Sequence, residues 1–499
     1  MRQTPNSEQV PVNIVGSSVF GRYHKISSEK TYNMFESDGW MVNFAGWKRA
    51  LELLPTGEGR GGFISIRGNF IVAVVNSAVY RINSNLSTIL IGNLATFTGE
   101  VYIDENLANQ VCVVDGVNAY IYNHSLPPSL TIQILNINLI PGYVTYHNSY
   151  FLFGNANITN AGSNWYVYLV DTDTTIVEVT NGAIPLQTKP DYAIAIKRIP
   201  SQSANILVFG TSVCEIWQNI TGPQLYRRNE SVNIDYGCLS KTTIASSDQY
   251  VVWLGINESN APAIIVFSNQ GAEQISTDGI NYVLSNLVEP ANSTAMIYRQ
   301  DGHLFYQITF FNEADNLTLV YDFNTKKFYN LCDTNENYHP AIDVIRFNQK
   351  SYFLSKRNAS LYEISTNLTS YDENINGEDP DLIGQIPRIR ICKSIRHPDA
   401  SHFRANALYM MIEQGYDQDY VELDDLNPNL HYVPRVDLCL SGDGGVTFGN
   451  YVSRYMNPLG KRQNMMTYEK MGAYNDLTMK FKFQGFSHWC VNDAFCEVY

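Results

Sequence analysis

One pattern recurs along most of this chain and restricts what it can fold into. An apolar strand is followed by a small or polar turn, then by a second strand that often carries an aromatic residue. Residues 70–75 run into Val79-Tyr80-Arg81-Ile82 (NFIVAVVNSAVYRI), and 111–114 turn at Asp115-Gly116 into Tyr120-Ile121-Tyr122 (VCVVDGVNAYIY). Residues 150–153 precede 165–170, and 206–209 turn at Gly210 into 213–217 (ILVFGTSVCEIW). The pairs 250–254 and 263–267, 304–310 and 317–323, and 352–354 and 361–364 complete seven hairpins. Their spacing is roughly 40–55 residues, the range of four-stranded propeller blades.

Short apolar segments between the hairpins, at 131–135, 176–179 and 193–197, supply candidates for the remaining blade strands. A single blade cannot bury both of its faces, whereas blades stacked radially bury every strand face and leave only short edges. A pair of β-sandwiches would also give many short strands. Helical periodicity is confined to residues 279–287 (GINYVLSNL). Beyond an acidic Gly- and Pro-containing stretch at 371–386, strict alternation resumes in RIRICKSIR at 388–396. Further strands are expected at 405–413, 435–440, 465–471 and 477–483.

The expected fold is therefore all-β: a β-propeller-like repeat of about six to seven blades with an additional C-terminal β-sandwich-like domain. The expected boundaries are an N-terminal arm or extension at 1–60, the propeller at 61–370, a linker at 371–386 and the C-terminal all-β domain at 387–499.

Composition agrees with this. Of 499 residues, 44% are hydrophobic, 12% aromatic and only 16% charged, with 33 Tyr and 23 Phe. That profile is incompatible with disorder for the bulk of the chain and suits short strands joined by turns. The charge of −14 argues against a general nucleic-acid binder, since phosphate neutralisation needs Lys and Arg. No apolar run approaches the length of a membrane span. The N-terminus MRQTPNSEQVPVN is polar and does not read as a signal peptide, so folding in a reducing cytoplasm is expected. The eight cysteines are scattered without a C-x-x-C and read as core thiols, with a Cys490–Cys496 disulfide as an alternative that no spacing supports.

The sharpest local motif is Ser441-Gly442-Asp443-Gly444-Gly445-Val446-Thr447-Phe448, which fits the Asp-box pattern S-x-D-x-G-x-T-F of sialidase-type propellers. Its physical reading is a turn: the Asp accepts backbone N–H bonds, Gly takes positive φ, and the aromatic packs beneath. Ser441, Asp443, Gly445, Thr447 and Phe448 are thus structural. Glycoside hydrolysis would need two carboxylates across one site. Asp372, Glu373, Glu378, Asp379 and Asp381 cluster, as do Asp417, Asp419, Glu422, Asp424 and Asp425, in polar stretches that read as solvated surface or a Ca²⁺ loop without EF-hand spacing. His397 and His402 flank a Pro-Asp turn and read as loop residues. Arg388, Arg390, Lys393 and Arg396 read as a solvated or salt-bridged basic face, with phosphate or an acidic partner as the other option. No catalytic, cofactor or metal residue is assigned.

Four stretches together resemble a known family. Tyr32-Asn33-Met34-Phe35-Glu36 is the first, and Arg60-Gly61 with Gly68-Asn69-Phe70 and Val79–Ile82 the second. The third, and most distinctive, is 208–217 (VFGTSVCEIW) with Thr221-Gly222 and Gly237-Cys238. The fourth is 440–448, followed by the glycine of Lys470-Met471-Gly472. In order, they are similar to the tail hub, or nozzle, protein of short-tailed, podovirus-type bacteriophages, the packaged-DNA stabilisation protein. Phe209, Gly210, Glu215, Trp217 and Gly222 are its motif hairpin here. The chain departs where the family's Pro-Gly becomes Ala45-Gly46, and its Arg-rich C-terminal strands are thinner, with Lys470, Lys480 and Lys482 remaining.

The resemblance implies a non-enzymatic virion protein, assembled in the host bacterial cytoplasm. Its implied partners are further copies of itself in a six-fold ring (a homohexamer), the head-to-tail adaptor, a tailspike or tail fibre, and the tail needle or plug. The ring would lie below the portal and adaptor, extend the DNA ejection channel, help retain packaged DNA, and let double-stranded DNA pass without sequence-specific binding. A carbohydrate-active or glycan-binding propeller on a sialidase-like Asp-box scaffold is the alternative.

Overall fold

In the computed structural model, residues 7–21, 29–126, 132–137, 139–156, 164–170, 176–178, 184–222, 224–373, 383–397, 399, 401–413, 434–456 and 463–499 are described. All seven hairpins form as the repeat predicts, as the second and third strands of their blades; six blades are separate sheets, and the sixth in chain order continues into a ten-stranded sheet. Blade 1 spans 59–93, blade 2 102–134, blade 3 141–178, blade 4 195–228, blade 5 237–274 and blade 6 293–330. Each is an antiparallel meander; in blade 5 the short strands Gly237–Cys238 and Ala245–Ser246 both pair with Val251–Ile256.

Period-2 alternation explains how one strand serves two neighbours. In Phe70–Val75, Phe70, Val72 and Val74 join the blade 2 strands in one core, while Ile71, Ala73 and Val75 face blade 7 in another. The next blade repeats this, with Val111 and Val113 turned back and Cys112 and Val114 turned forward. Seven such clusters close the circle of blades. Each fully buried Val, Leu or Phe contributes roughly 1.5–3 kcal/mol. The Asn content has a geometric use: of sixteen described non-glycine residues at positive φ, eight are Asn, including Asn69, Asn109, Asn148 and Asn348 at the turns after inner strands.

The seventh blade differs from the sequence expectation. Its strands Ile345–Phe347, Lys350–Leu354 and Ser360–Ser365 are completed by Gly46–Glu52 from near the N-terminus. The segment read as an arm therefore closes the ring. Gly46 allows it, since a Cβ there would lie 2.5 Å from the carbonyl oxygens of Leu368 and Ser370. Trp47 stacks on Tyr371 at 3.5 Å and meets Phe353 edge-on, locking the strand in place. The stretch read as a linker also extends this sheet: Ser370–Asp372 pairs with the closing strand and with Ile383–Gln385. The candidate helix at 279–287 is present as Asp278–Ser285, capped by Thr277.

The C-terminal unit is a sandwich of two sheets. One contains Glu8–Pro11, Met34–Ser37, Trp40–Asn43, Phe403–Glu413, Gln463–Tyr474 and Cys490–Val498. The other contains Lys30–Tyr32, Arg388–Ile391, Ile395–Arg396, Arg435–Ser441, Val452–Tyr455 and Asp476–Gln484. They share a Met- and Phe-rich core that includes Met410, Met466, Met479, Phe481 and Phe483. The second sheet continues into blade 6 through the parallel pairing of Tyr32 with Asn330. All eight cysteines are free thiols. Among the described residues, no helix is long and apolar enough to cross a membrane.

Candidate functional site

The motif hairpin of blade 4 is a lock between blades. Gly210 opens its turn, donating its N–H to Val213 O at 2.7 Å. Asp191, on the connector entering the blade, grips that turn from outside. Its carboxylate accepts the N–H groups of Thr211 (3.0 Å), Ser212 (2.7 Å) and Val213 (3.1 Å) and both adjacent hydroxyls. Burial works against ionisation of Asp191, but these bonds outweigh it and hold the carboxyl below its ordinary value. A side chain at Gly210 would meet Asp191 Oδ2 at 2.4 Å, and one at Gly237 would lie 2.2 Å from Thr211 C. The two glycines are thus fixed by close approach of blade 4 to the start of blade 5.

Glu215 holds the same connector from inside. It is almost fully buried and accepts the N–H of Gln187 (2.7 Å), the N–H and hydroxyl of Thr188 (2.5 and 2.7 Å) and Trp217 Nε1–H (2.9 Å). Arg228 Nε stands 3.7 Å away. Trp217 packs edge-on against Trp165 of blade 3, and Phe209 against Trp253 of blade 5. Gly222 turns the outer hairpin at φ +140°. All five motif residues therefore do architectural work.

The N-terminal motif joins propeller to sandwich. Asn33 is buried at φ +55°; its side chain donates to Pro387 O and accepts from Cys332 N–H, both at 3.0 Å. Phe35 packs on Phe44 and Phe305, and Glu36 pairs with Lys327 at 2.6 Å. Arg60 donates five hydrogen bonds, to the carbonyls of Asn76, Thr96, Thr98 and Gly99 and to the Thr96 hydroxyl.

Asp443 accepts Val446 N–H and Thr447 N–H at 3.0 Å, and the hydroxyls of Ser441 and Thr447 at 2.6 Å. These bonds hold its carboxyl well below the usual range. Gly444 and Gly445 sit at φ +77° and +89°. Phe448 is half-buried, with Lys480 Nζ 5.8 Å from its ring centre. The turn lies in the sandwich, away from the pore.

The basic alternation, expected as a solvated or salt-bridged face, is salt-bridged at Arg390 and Arg396 and exposed at Lys393, but Arg388 and Arg390 are buried. Arg390 donates to the carbonyls of Asn13, Ile14 and Ser17 and pairs with Glu29 at 2.5 Å, so it clamps the N-terminal segment. Arg396 pairs with Asp476. His397 contacts Asp399 at 2.5 Å, and no group of three or more metal-ligating side chains occurs among the described residues. Glu378, Asp379, Asp381 and the cluster from Asp417 to Asp425 lie outside the described residues.

The propeller pore was not anticipated from sequence. A cavity of about 270 Å³ is lined from every blade: Arg60, Tyr102 and Asp104, Tyr143, Lys197 and Arg198, Lys241, Thr294, and Asp343 on the approach to blade 7. Asp104 accepts Thr145 Oγ1–H (3.2 Å), Tyr146 N–H (2.7 Å) and Glu105 N–H (2.9 Å), with Arg198 at 4.0 Å. Burial pushes the Asp343 carboxyl up to about 6. The available signal was the charged pair Lys197-Arg198 ending the otherwise apolar AIAIKR strand.

Comparison with known proteins now adds to this geometry. The model of a phage-stabilisation family, described as "Bacteriophage P22 Gp10, beta-propeller", matches residues 29–369. The chain belongs to this family. The match runs from the junction strand through the whole propeller and takes in the ring-closing segment. It ends before 440–448 and 470–472, the stretches whose resemblance to the family is in the sequence alone. Solved structures that superpose include a streptogramin B lyase, at 9% identity over 64% of this chain and 98% of that one, TM-score 0.41. Others are a catalytically inactive virginiamycin B lyase from Staphylococcus aureus, at 13% over 64% and 99%, TM-score 0.43, and the Pan2 WD40 domain of Neurospora crassa, at 11% over 64% and 95%, TM-score 0.38. None of these bears on the activity of this chain. A comparison with curated proteins finds no match.

Proposed function

We propose that this phage structural protein is the tail hub, or nozzle. Six copies form a ring below the portal and head-to-tail adaptor, prolong the DNA ejection channel, anchor tailspikes or fibres and the needle or plug, and help retain the packaged genome. The observation that carries this reading is the family match across the entire propeller. The architecture suits the role. Seven blades closed by a distant strand make a stiff body, and the sandwich, continuous with blade 6, offers a second body for ring or fibre contacts.

The conduit for DNA is the space between copies, not the pore of one propeller. A cavity of about 270 Å³ filled by Tyr and Lys side chains has the scale of a small-ligand site. An acidic wall lets DNA slide, because adhesion scales with the number of cationic contacts and the chain carries −14. A glycosidase reading would draw on Asp104 and Asp343, the carboxylates of the pore. Asp104 already accepts three hydrogen bonds beside Arg198, which leaves little capacity to act on a substrate.

Electron microscopy of the purified chain mixed with its adaptor tests the proposal. A six-fold ring seated on the adaptor is expected; a chain that stays monomeric and never binds the adaptor would overturn it.

A further inference from the structure

Two donors in the propeller pore are unused by the fold. Lys197 is the penultimate residue of the inner strand of blade 4 and lines the cavity; its ammonium makes no ion pair or hydrogen bond among the described residues. Tyr143, on the inner strand of blade 3, is buried, yet its hydroxyl also has no partner among them. Their neighbours are engaged. Arg60 is saturated by carbonyls, and Tyr102 donates to Glu100 at 2.5 Å. Lys241 donates to Gly142 O at 3.2 Å with Glu100 at 3.6 Å.

Lys197 is half-buried and no carboxylate among the described residues contacts its ammonium, and a partly desolvated cation gains from a paired anion. Burial lowers the Lys197 pKa, with Asp104 opposing the shift. The cavity lining holds Arg60, Lys197, Arg198 and Lys241 against Asp104 and Asp343, a local cationic excess in a chain of −14. Arg198 on the lining is exposed, so the cavity is open to solvent. The volume excludes a nucleotide-sized guest but accommodates a tetrahedral ion with several oxygens, which Lys recognises as a point charge.

We propose that the propeller pore holds one small oxyanion, phosphate or sulfate, with the Lys197 ammonium and the Tyr143 hydroxyl as direct donors and Arg198 and Lys241 at its flanks. The site is independent of the tail-hub reading and stands or falls on its own.

Isothermal titration of the full chain with inorganic phosphate at pH 7 and low ionic strength is the test. A parallel titration with sulfate distinguishes the two ions, and chloride at matched ionic strength serves as control. One saturable site per chain is expected. Losing a charge-assisted bond weakens binding about tenfold or more in Lys197→Met, with a smaller loss in Tyr143→Phe and none in Lys480→Gln on the sandwich. Absence of binding, equal binding by Lys197→Met and Tyr143→Phe, or displacement by chloride as effective as by sulfate would overturn the site. If Lys197→Met does not fold, Tyr143→Phe decides alone.

Discussion

The propeller and the sandwich are both antiparallel β structures, yet the chain builds them in opposite ways. In the propeller each apolar cluster joins one blade to the next, so neighbours in sequence are neighbours in space. In the sandwich one sheet takes strands from residues 8–43 and 403–498, and its core mixes both ends of the chain. The contrast breaks at one place. Blade 7 borrows Gly46–Glu52, so the segment that feeds the sandwich also closes the ring. The lesson is that the two regions share a fate: neither is complete without residues 30–52.

The largest test of that coupling is truncation. Removing residues 1–52 deletes the outer strand of blade 7 and four strands of the sandwich sheets. Loss of cooperative folding is expected by circular dichroism and gel filtration, whereas a soluble, cooperatively melting propeller would separate the two regions. Next come the buried ionic anchors, one in each region. Glu215→Ala strands four donors in the propeller, and Arg390→Met removes the cation beside Glu29 and the donor to three carbonyls in the sandwich. Each is expected to cost about 3–5 kcal/mol in urea unfolding. Tryptophan fluorescence and far-UV dichroism should give coincident transitions for both variants. Separate transitions would show that blade and sandwich unfold independently.

A smaller effect depends on pH. The folded pKa of Asp343, about 6, lies above its unfolded value. The folded chain therefore binds that proton more tightly, and this stability, full below the unfolded pKa of about 3.9, is lost as pH rises through 6. Asp343→Asn should raise the melting temperature by roughly 2–4 °C at pH 7.5 and give no gain at pH 4. The smallest effect is expected for Asp443→Ala. Its bonds are all local and its carboxylate is exposed, so only the 441–448 turn should loosen, read as faster amide exchange confined to that hairpin.

How legible the fold was follows the same division. Hairpin positions came directly from apolar runs separated by turns, since Phe70–Val75 and Asn205–Phe209 are buried on both faces and their turns carry Asn, Asp or Gly. The Asp443 turn was equally legible because its chemistry spans eight consecutive residues. Ring closure was not. Gly46–Glu52 shows no periodicity apart from Trp47, and its partner lies some three hundred residues away in sequence. Arg388 and Arg390 misled for a physical reason: charge in an alternating strand reads as a solvent face unless distant carbonyls are there to receive it. The pore escaped for a similar one, since each blade contributes only one or two residues to it. Asp191 left a faint trace, as Gly210-Thr211-Ser212 presents successive N–H groups that favour an anionic cap.

A structural component of the phage particle must be present in every virion. Quantitative mass spectrometry of purified virions, with cryo-electron microscopy of their tails, tests this most directly. The expected result is a fixed copy number near six per particle, with density for seven-bladed propellers arranged as a ring around the tail axis. Absence of the chain from purified virions, or its loss on washing at moderate salt, would contradict the account.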